Sequence, residues 1–298
     1  MFRQVRTILE MIKFSHTLFA LPFALLAAGM ATRSELREAH AWRPLDWVGI
    51  LLCMVFARST AMAFNRLADR KLDAENPRTA MRHLPTGVLK PAAVGAFVVA
   101  CAGGFVASTT LFWLSSENLL PLYLSGPVLA FICLYSLTKR FTALSHFWLG
   151  AALLLAPVST WIAIRGRVEW PPVVLGAAVL FWVAGFDMLY ACQDVDFDRV
   201  VNLHSIPTKL GVPGALRLAM ICHFLMVGAL AAFYFVAAPM LGMIYLSGVA
   251  AVAGLLVYEH ALVRPENLTR VNQAFFHVNA VISVGLLVVV LLQVVLTR

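Results

Sequence analysis

Apolar residues run through the chain in long unbroken stretches joined by short polar segments. A helix needs about 20 mostly apolar residues to cross the hydrocarbon core of a bilayer. Nine windows meet that need, near 15–32, 46–68, 91–113, 118–138, 145–164, 171–192, 214–236, 238–260 and 273–296. Between them fall residues that cannot continue a helix or that favour turns, among them Pro44, Pro85 with Gly87, Pro91, Pro171 with Pro172, Pro213 with Gly214, Pro239 and Pro265. The pattern predicts an all-α membrane protein with nine transmembrane helices. No polar block is long enough to fold separately, so residues 1–298 read as a single domain. Basic residues precede the first apolar run, as in a signal peptide, but no convincing cleavage site occurs before Arg33, and the run reads as the first membrane helix.

Composition strengthens this reading. Hydrophobic residues make up 61% of the chain and charged residues only 13%, against roughly a quarter charged in a soluble domain. A net charge of +8 would raise the question of nucleic acid in a soluble protein. Here Lys and Arg lie between the apolar runs, where topology accounts for them. With the N-terminus inside, 16 of the 23 Lys and Arg fall on the inner side, 6 on the outer side and Arg58 within a span. This places the N-terminus in the cytoplasm and the protein in a plasma or inner membrane. Cys53, Cys101, Cys133, Cys192 and Cys222 are scattered singly, without the spacing of a zinc site or a disulfide framework.

The acidic residues are clustered. Asn65, Asp69 and Asp73 recur every fourth residue at the end of the second window, which stacks three oxygen-bearing side chains on one helical face over about 12 Å. Tyr190, Asp194 and Asp198 repeat that spacing at the end of the sixth, with Asp187 one turn earlier. The two sets are offset by a constant 125 residues, which hints at an internal repeat. Stacked carboxylates repel unless a cation sits among them. Mg²⁺ suits such oxygen donors and is usually held by one or two carboxylates together with substrate phosphates. Two clusters from different helices fit a grip on a Mg²⁺-bound diphosphate better than they fit solvated helix ends paired with Arg66, Arg70, Lys71 and Arg199.

Cations stand where phosphate oxygens need them: Arg78 and Arg82 after the first cluster, Lys139 and Arg140 after the fourth window, and Lys209 after the second cluster. Arg58 lies inside a span, on the face shared with Asn65 seven residues later. A charge there is costly and usually faces a partner or a cavity, which points to an anionic substrate group such as an aromatic carboxylate. His16, His146, His223 and His277 read as helix-end or packed histidines rather than ligands.

The segments 65-NRLADRKLD-73, 76-NPRTAMRHLPTG-87, 187-DMLYACQDVDFD-198 and 205-SIPTKLG-211 resemble the paired motifs of the UbiA superfamily of intramembrane prenyltransferases. The resemblance implies a helical bundle around a central cavity, capped by the two acidic segments on the cytoplasmic side. It implies that Asn65, Asp69, Asp73, Asp194 and Asp198 bind Mg²⁺ and a polyprenyl diphosphate, that Arg78, Arg82 and Lys139 hold phosphate oxygens, that Arg58 faces the aromatic acceptor, and that Asp187 and Tyr190 line the site. The implied reaction ionises the allylic C1–O bond, and an electron-rich ring attacks the resulting cation. The segment 13-KFSHTLFALPFA-24 adds a likeness to 4-hydroxybenzoate polyprenyltransferases of quinone biosynthesis, a group that also includes enzymes acting on 1,4-dihydroxy-6-naphthoate for menaquinone. Both acceptors carry a carboxylate for Arg58, so the acceptor stays open between them. A secondary transporter is the rival from another class; it predicts charged or broken positions near the midplane of several helices, whereas nearly all the acid here sits at helix ends. No DGxxAR-type motif of a CDP-alcohol phosphotransferase is present, and haem farnesylation is a more distant relative.

Overall fold

The computed structural model describes residues 2–12, 19–37, 42–238, 240–265, 268, 271 and 274–296. His16, Pro239, the first residues of the 15–32 window, and Lys13, Arg270 and Arg298 of the orientation count lie outside them. Among the described residues twelve α-helices follow in order: α1 Phe2–Met11, α2 Leu21–Arg37, α3 Pro44–Ala68, α4 Arg70–Glu75, α5 Pro91–Ser116, α6 Leu120–Thr138, α7 Ser145–Arg165, α8 Trp170–Ala191, α9 Val195–Val200, α10 Ile206–Val236, α11 Met243–Leu262 and α12 Asn279–Leu296. Among the described residues eight helices are long and apolar enough to cross a membrane: α3, α5, α6, α7, α8, α10, α11 and the run through α12. The ninth predicted span is α2, whose 17 described residues fall just short of that length. The chain is a multi-pass, all-helical membrane protein.

The chain forms two compact units, one from residues 1–17 and 43–137, the other from 18–42 and 138–298. In the first, α3 and α5 pack by exchanging a glycine for a ring. A Cβ on Gly49 would meet Phe112 at 2.9 Å, and one on Gly104 would meet Phe56 at 2.8 Å. Lipid supplies no hydrophobic drive between helices, so this close approach of small residues to large ones is what holds the pair. Hydroxyls within the spans bond to their own helix, as Thr60 to the Phe56 carbonyl at 2.8 Å and Ser108 to that of Gly104 at 2.7 Å.

In the second unit α8 lies against both α7 and α10, and α2 packs on α7 and α12. Trp182 of α8 has no exposed surface. Its ring meets Phe23 at 5.2 Å and Phe186 at 5.0 Å, while its Nε1–H donates to Asn279 Oδ1 at 2.6 Å. Asn279 Nδ2–H in turn donates to Glu259 Oε1 at 2.9 Å, and His223 and His260 share a hydrogen bond of 2.9 Å. These buried polar groups join α8, α10, α11 and α12. At the turn between α7 and α8, Glu169 accepts from Trp161 Nε1–H at 2.6 Å and lies beside Arg165 and Arg167. Burial alone would raise the Glu169 carboxyl, but the Trp161 hydrogen bond and the two arginines hold it below the usual range.

Helix α10 begins eight residues before the predicted window. Ser205 and Thr208 form a capping box ahead of Pro207, which starts a first turn that hydropathy alone does not reveal. Gly211, at φ 70°, then bends the helix before Pro213. Helix packing also makes a direct prediction. A Cβ on Gly150 of α7 would run into the Leu180 carbonyl of α8, whereas one on Gly126 of α6 meets nothing within 4 Å. Gly150→Ala is expected to destabilise the protein by about 1–3 kcal/mol, seen as a lower thermal midpoint in detergent, with Gly126→Ala unchanged within about 0.5 kcal/mol.

Candidate active site

The first acidic cluster grows out of the way α3 ends. Asp69 caps α3 at φ −91°, ψ 5°, and α4 resumes at once for six residues. The four-residue hydrogen bonding survives the break, with Asp69 N–H on the Asn65 carbonyl at 2.9 Å and Asp73 N–H on that of Asp69 at 2.8 Å. The predicted stack therefore persists across it. Asn65 Nδ2–H donates to Asp69 Oδ2 at 3.2 Å, and Asp69 and Asp73 are both buried, at 3% and 7% exposure.

Two buried carboxylates need compensation, and the loop after α4 provides it. Asn76 Oδ1 accepts from Arg78 N–H at 2.9 Å in an Asx turn, and consecutive turns follow through Thr79 N–H to the Asn76 carbonyl and Arg82 N–H to that of Thr79. Thr79 Oγ1–H anchors the loop to the Asp73 carbonyl at 3.0 Å. These turns bring the Arg82 guanidinium back to Asp73, with Nη1 at 2.7 Å from Oδ1. Gly87, at φ 74°, lets the chain reverse into α5. The Arg78 side chain is exposed. Arg58 lies two turns before Asn65 on α3, about 10 Å along the axis, and its buried Nε has no hydrogen-bond partner among the described residues.

The second cluster repeats this construction. Helix α8 tightens into a 3₁₀ turn over Cys192–Asp194, and α9 then runs for six residues. Asp194 precedes α9 at φ −105°, ψ 4°, nearly the backbone setting of Asp69. Both residues lie in the sparsely populated bridge region, where many active-site residues sit. Asp198 lies within electrostatic reach of Asp194, Lys139 and His146, and the Ser205 side chain stands near it. The Lys139 carbonyl accepts from His204 N–H at 2.7 Å, which fastens the α6–α7 turn to the segment after α9. Tyr190 meets Phe276 edge to face at 6.4 Å. Asp187 Oδ2 pairs with His146 Nδ1 at 2.7 Å.

Of the predicted residues, the structure joins Asn65 with Asp69 and Asp73 with Arg82, and sets Asp198 within electrostatic reach of Asp194 and Lys139. His146 and Ser205 are the partners the sequence reading missed. Ser205 stands in a quoted motif, but the His146 contact spans 41 residues and no local spacing announces it. Glu259, unexposed within the membrane helices, also escaped notice. Among the described residues no three His, Cys, Asp or Glu side chains converge on one point. Neither cluster is a closed protein cage. Carboxylate and amide oxygens of this kind fit Mg²⁺, which keeps waters and takes phosphate oxygens for the rest of its shell.

An intramembrane helical protein with two acidic helix ends of the same construction, each next to a basic side chain, is the class so defined. The family model described as "UbiA prenyltransferase family" matches residues 20–281, and the chain belongs to that family. It is 32% identical over 250 residues to the 4-hydroxybenzoate octaprenyltransferase of Vibrio parahaemolyticus, covering 80% of this chain and 82% of that one. With the enzyme of the same name from Marinobacter nauticus it shares 33% over 236 residues, or 76% and 75% of the two chains. The apo structure of a UbiA homolog from Aeropyrum pernix K1 superposes with a TM-score of 0.79 at 30% identity, over 94% of this chain and 97% of that one. A UbiA homolog from Archaeoglobus fulgidus bound to DMAPP and Mg²⁺ shares the fold, with a TM-score of 0.74 at 18% identity over 97% and 99% of the chains.

Arg82 Nη1 stands 2.7 Å from Oδ1 of buried Asp73, and its side chain is 29% exposed. Arg82→Met is expected to cost roughly 2–3 kcal/mol, less than a fully buried pair. The thermal midpoint without substrate should fall, and an unchanged midpoint would show that Asp73 finds its compensation elsewhere.

Proposed function

We propose that the protein transfers a polyprenyl group from a prenyl diphosphate to 4-hydroxybenzoate, in a Mg²⁺-dependent reaction that serves quinone biosynthesis. The observation that carries this reading is the matched pair of acidic helix ends, Asn65/Asp69/Asp73 and Asp194/Asp198, each with a cation beside it. The names of the relatives favour the benzoate acceptor. 1,4-Dihydroxy-6-naphthoate offers the same carboxylate and is the second acceptor to test.

The roles follow from the donor types. Asn65, Asp69 and Asp73, and Asp194 and Asp198, present the oxygens that would hold Mg²⁺. Bound there, the metal neutralises charge on the departing diphosphate. Arg82, Arg78 and Lys139 donate hydrogen bonds to phosphate oxygens, Arg82 from the position in which Asp73 holds it. Arg58, half-buried, offers the acceptor carboxylate its buried Nε–H, which has no partner among the described residues, and Asp187 and Tyr190 line the site. Apolar helices keep water from the allylic cation, which hydrolysis would otherwise consume. We read residues 1–298 as one domain, in the inner (plasma) membrane, with the N-terminus and both acidic segments cytoplasmic.

The reading is tested with protein in lipid nanodiscs, given labelled geranyl diphosphate and either acceptor, with and without Mg²⁺. Label should enter 4-hydroxybenzoate only with Mg²⁺, and no transfer to either acid would refute the assignment. Asp69→Ala and Asp194→Ala should each lower kcat/KM by about 10²–10³-fold while the protein still inserts, a loss the size of removing a principal electrostatic stabiliser. Wild-type turnover in either would dismiss the metal-ligand roles. Arg58→Ala should raise the acceptor KM by about 10–100-fold, equivalent to roughly 1.4–2.8 kcal/mol for a charged hydrogen bond, with the donor KM nearly unchanged. Equal effects on donor and acceptor would refute its pairing with the carboxylate.

A further inference from the structure

His146 is 4% exposed on its side chain, in the first turn of α7, and each ring nitrogen has its own partner. Nε2 lies 3.3 Å from the backbone nitrogen of Ile206, the first residue of α10. A backbone N–H is always a donor, so Nε2 accepts and carries no proton. The remaining ring proton therefore sits on Nδ1, which donates to Asp187 Oδ2 at 2.7 Å. The imidazole has its tautomer set by the chain. It cannot exchange roles with Asp187 without losing the Ile206 bond.

The start of α10 thus lies beside both ends of the second acidic segment. Ser205 caps the helix by accepting from Thr208 N–H at 3.2 Å, and its side chain stands near Asp198. Ile206, one residue on, holds His146 and through it Asp187. Asp187 is 18% exposed on its side chain and His146 is its one bonded partner among the described residues. A short aspartate with a single anchor takes its orientation from that anchor.

We infer that His146 is a positioning residue, which orients Asp187 by donating from Nδ1 while the α10 N-terminus fixes its ring. The inference rests on the proposed function for its kinetic consequence, though not for its geometry. Because His146 acts through Asp187 rather than on substrate, its loss changes turnover and leaves the donor affinity alone.

Four variants in nanodiscs test it: His146→Phe, which keeps a ring without nitrogens; His146→Asn, whose amide N–H stands near the place of Nδ1; Asp187→Ala; and the His146→Phe, Asp187→Ala double variant. His146→Phe should lower kcat by about tenfold or more, the scale of a misplaced reacting group, with the prenyl diphosphate KM within about twofold. His146→Asn should recover most of that loss. The double variant should be no slower than Asp187→Ala, since two residues acting through one interaction are not additive. Losses that multiply, or a His146→Phe protein with full kcat, would overturn the inference. ¹⁵N NMR of histidine-labelled wild type gives a measurement independent of turnover. The resonance missing from His146→Asn should be that of an Nδ1–H imidazole, and an Nε2–H tautomer or an imidazolium would overturn the inference. If the wild type transfers no prenyl group to either aromatic acid, the proposed function fails while the NMR result still decides the geometry.

Discussion

A buried carboxylate has no bulk water to solvate it and little salt to screen it, so the protein itself must supply every partner. Unpaired, such a charge costs several kcal/mol. That constraint organises the described polar interior. Asp73 takes Arg82 from the loop beyond α4, Asp187 takes His146 from α7, and Glu259 takes Asn279 from α12, which holds Trp182 of α8 with its other amide atom. Each partner comes from a different element, so satisfying the acid also fixes where that element lies. The polar contacts thereby supply the specificity that apolar packing in lipid does not.

The same constraint explains which parts of the molecule could be read from the chain. Hydropathy found the spans because lipid demands long apolar helices, and the windows agree with α3, α5, α6, α7 and α8 to within a few residues. It misjudged the start of α10, where the signal lies in a capping box and a glycine kink rather than in apolar content. The spacing of Asn65, Asp69 and Asp73 was legible because a helical repeat is local, and the backbone bonds across Asp69 keep that repeat in phase. His146 was not legible, since its meaning depends on Asp187 and Ile206, 41 and 60 residues away. A histidine in the first turn of a membrane helix looks the same in sequence whether it faces lipid headgroups or orients an acid.

The two buried networks of the second unit differ in how fully they are bonded. His146 has both nitrogens engaged, whereas Glu259 bonds through Oε1 alone and its Oε2 has no partner among the described residues. Glu259 serves the assembly of α8, α11 and α12 as a hydrogen-bonding group, which separates it from the acids at the helix ends. A transporter reading based on midplane charge loses support on that ground, since the one buried acid of α11 is tied into helix packing.

The matched construction of Asp69 and Asp194 is the strongest structural link between the two motifs. A constant offset of 125 residues could arise by chance in a short pattern. A shared backbone setting in the bridge region, followed in each case by a helix of six residues, is a second and independent agreement. Such a break has a physical use. An unbroken α-helix keeps its side chains at a fixed angular step and ties its backbone groups to one another, whereas a residue near φ −90°, ψ 0° lets the following turn swing while the helical spacing of the carboxylates is retained. The acids stand on short rigid turns that the long helices end in, so their spacing is inherited from helical geometry and their direction from the break. Positions of this kind combine the precision of a helix with the aim of a loop.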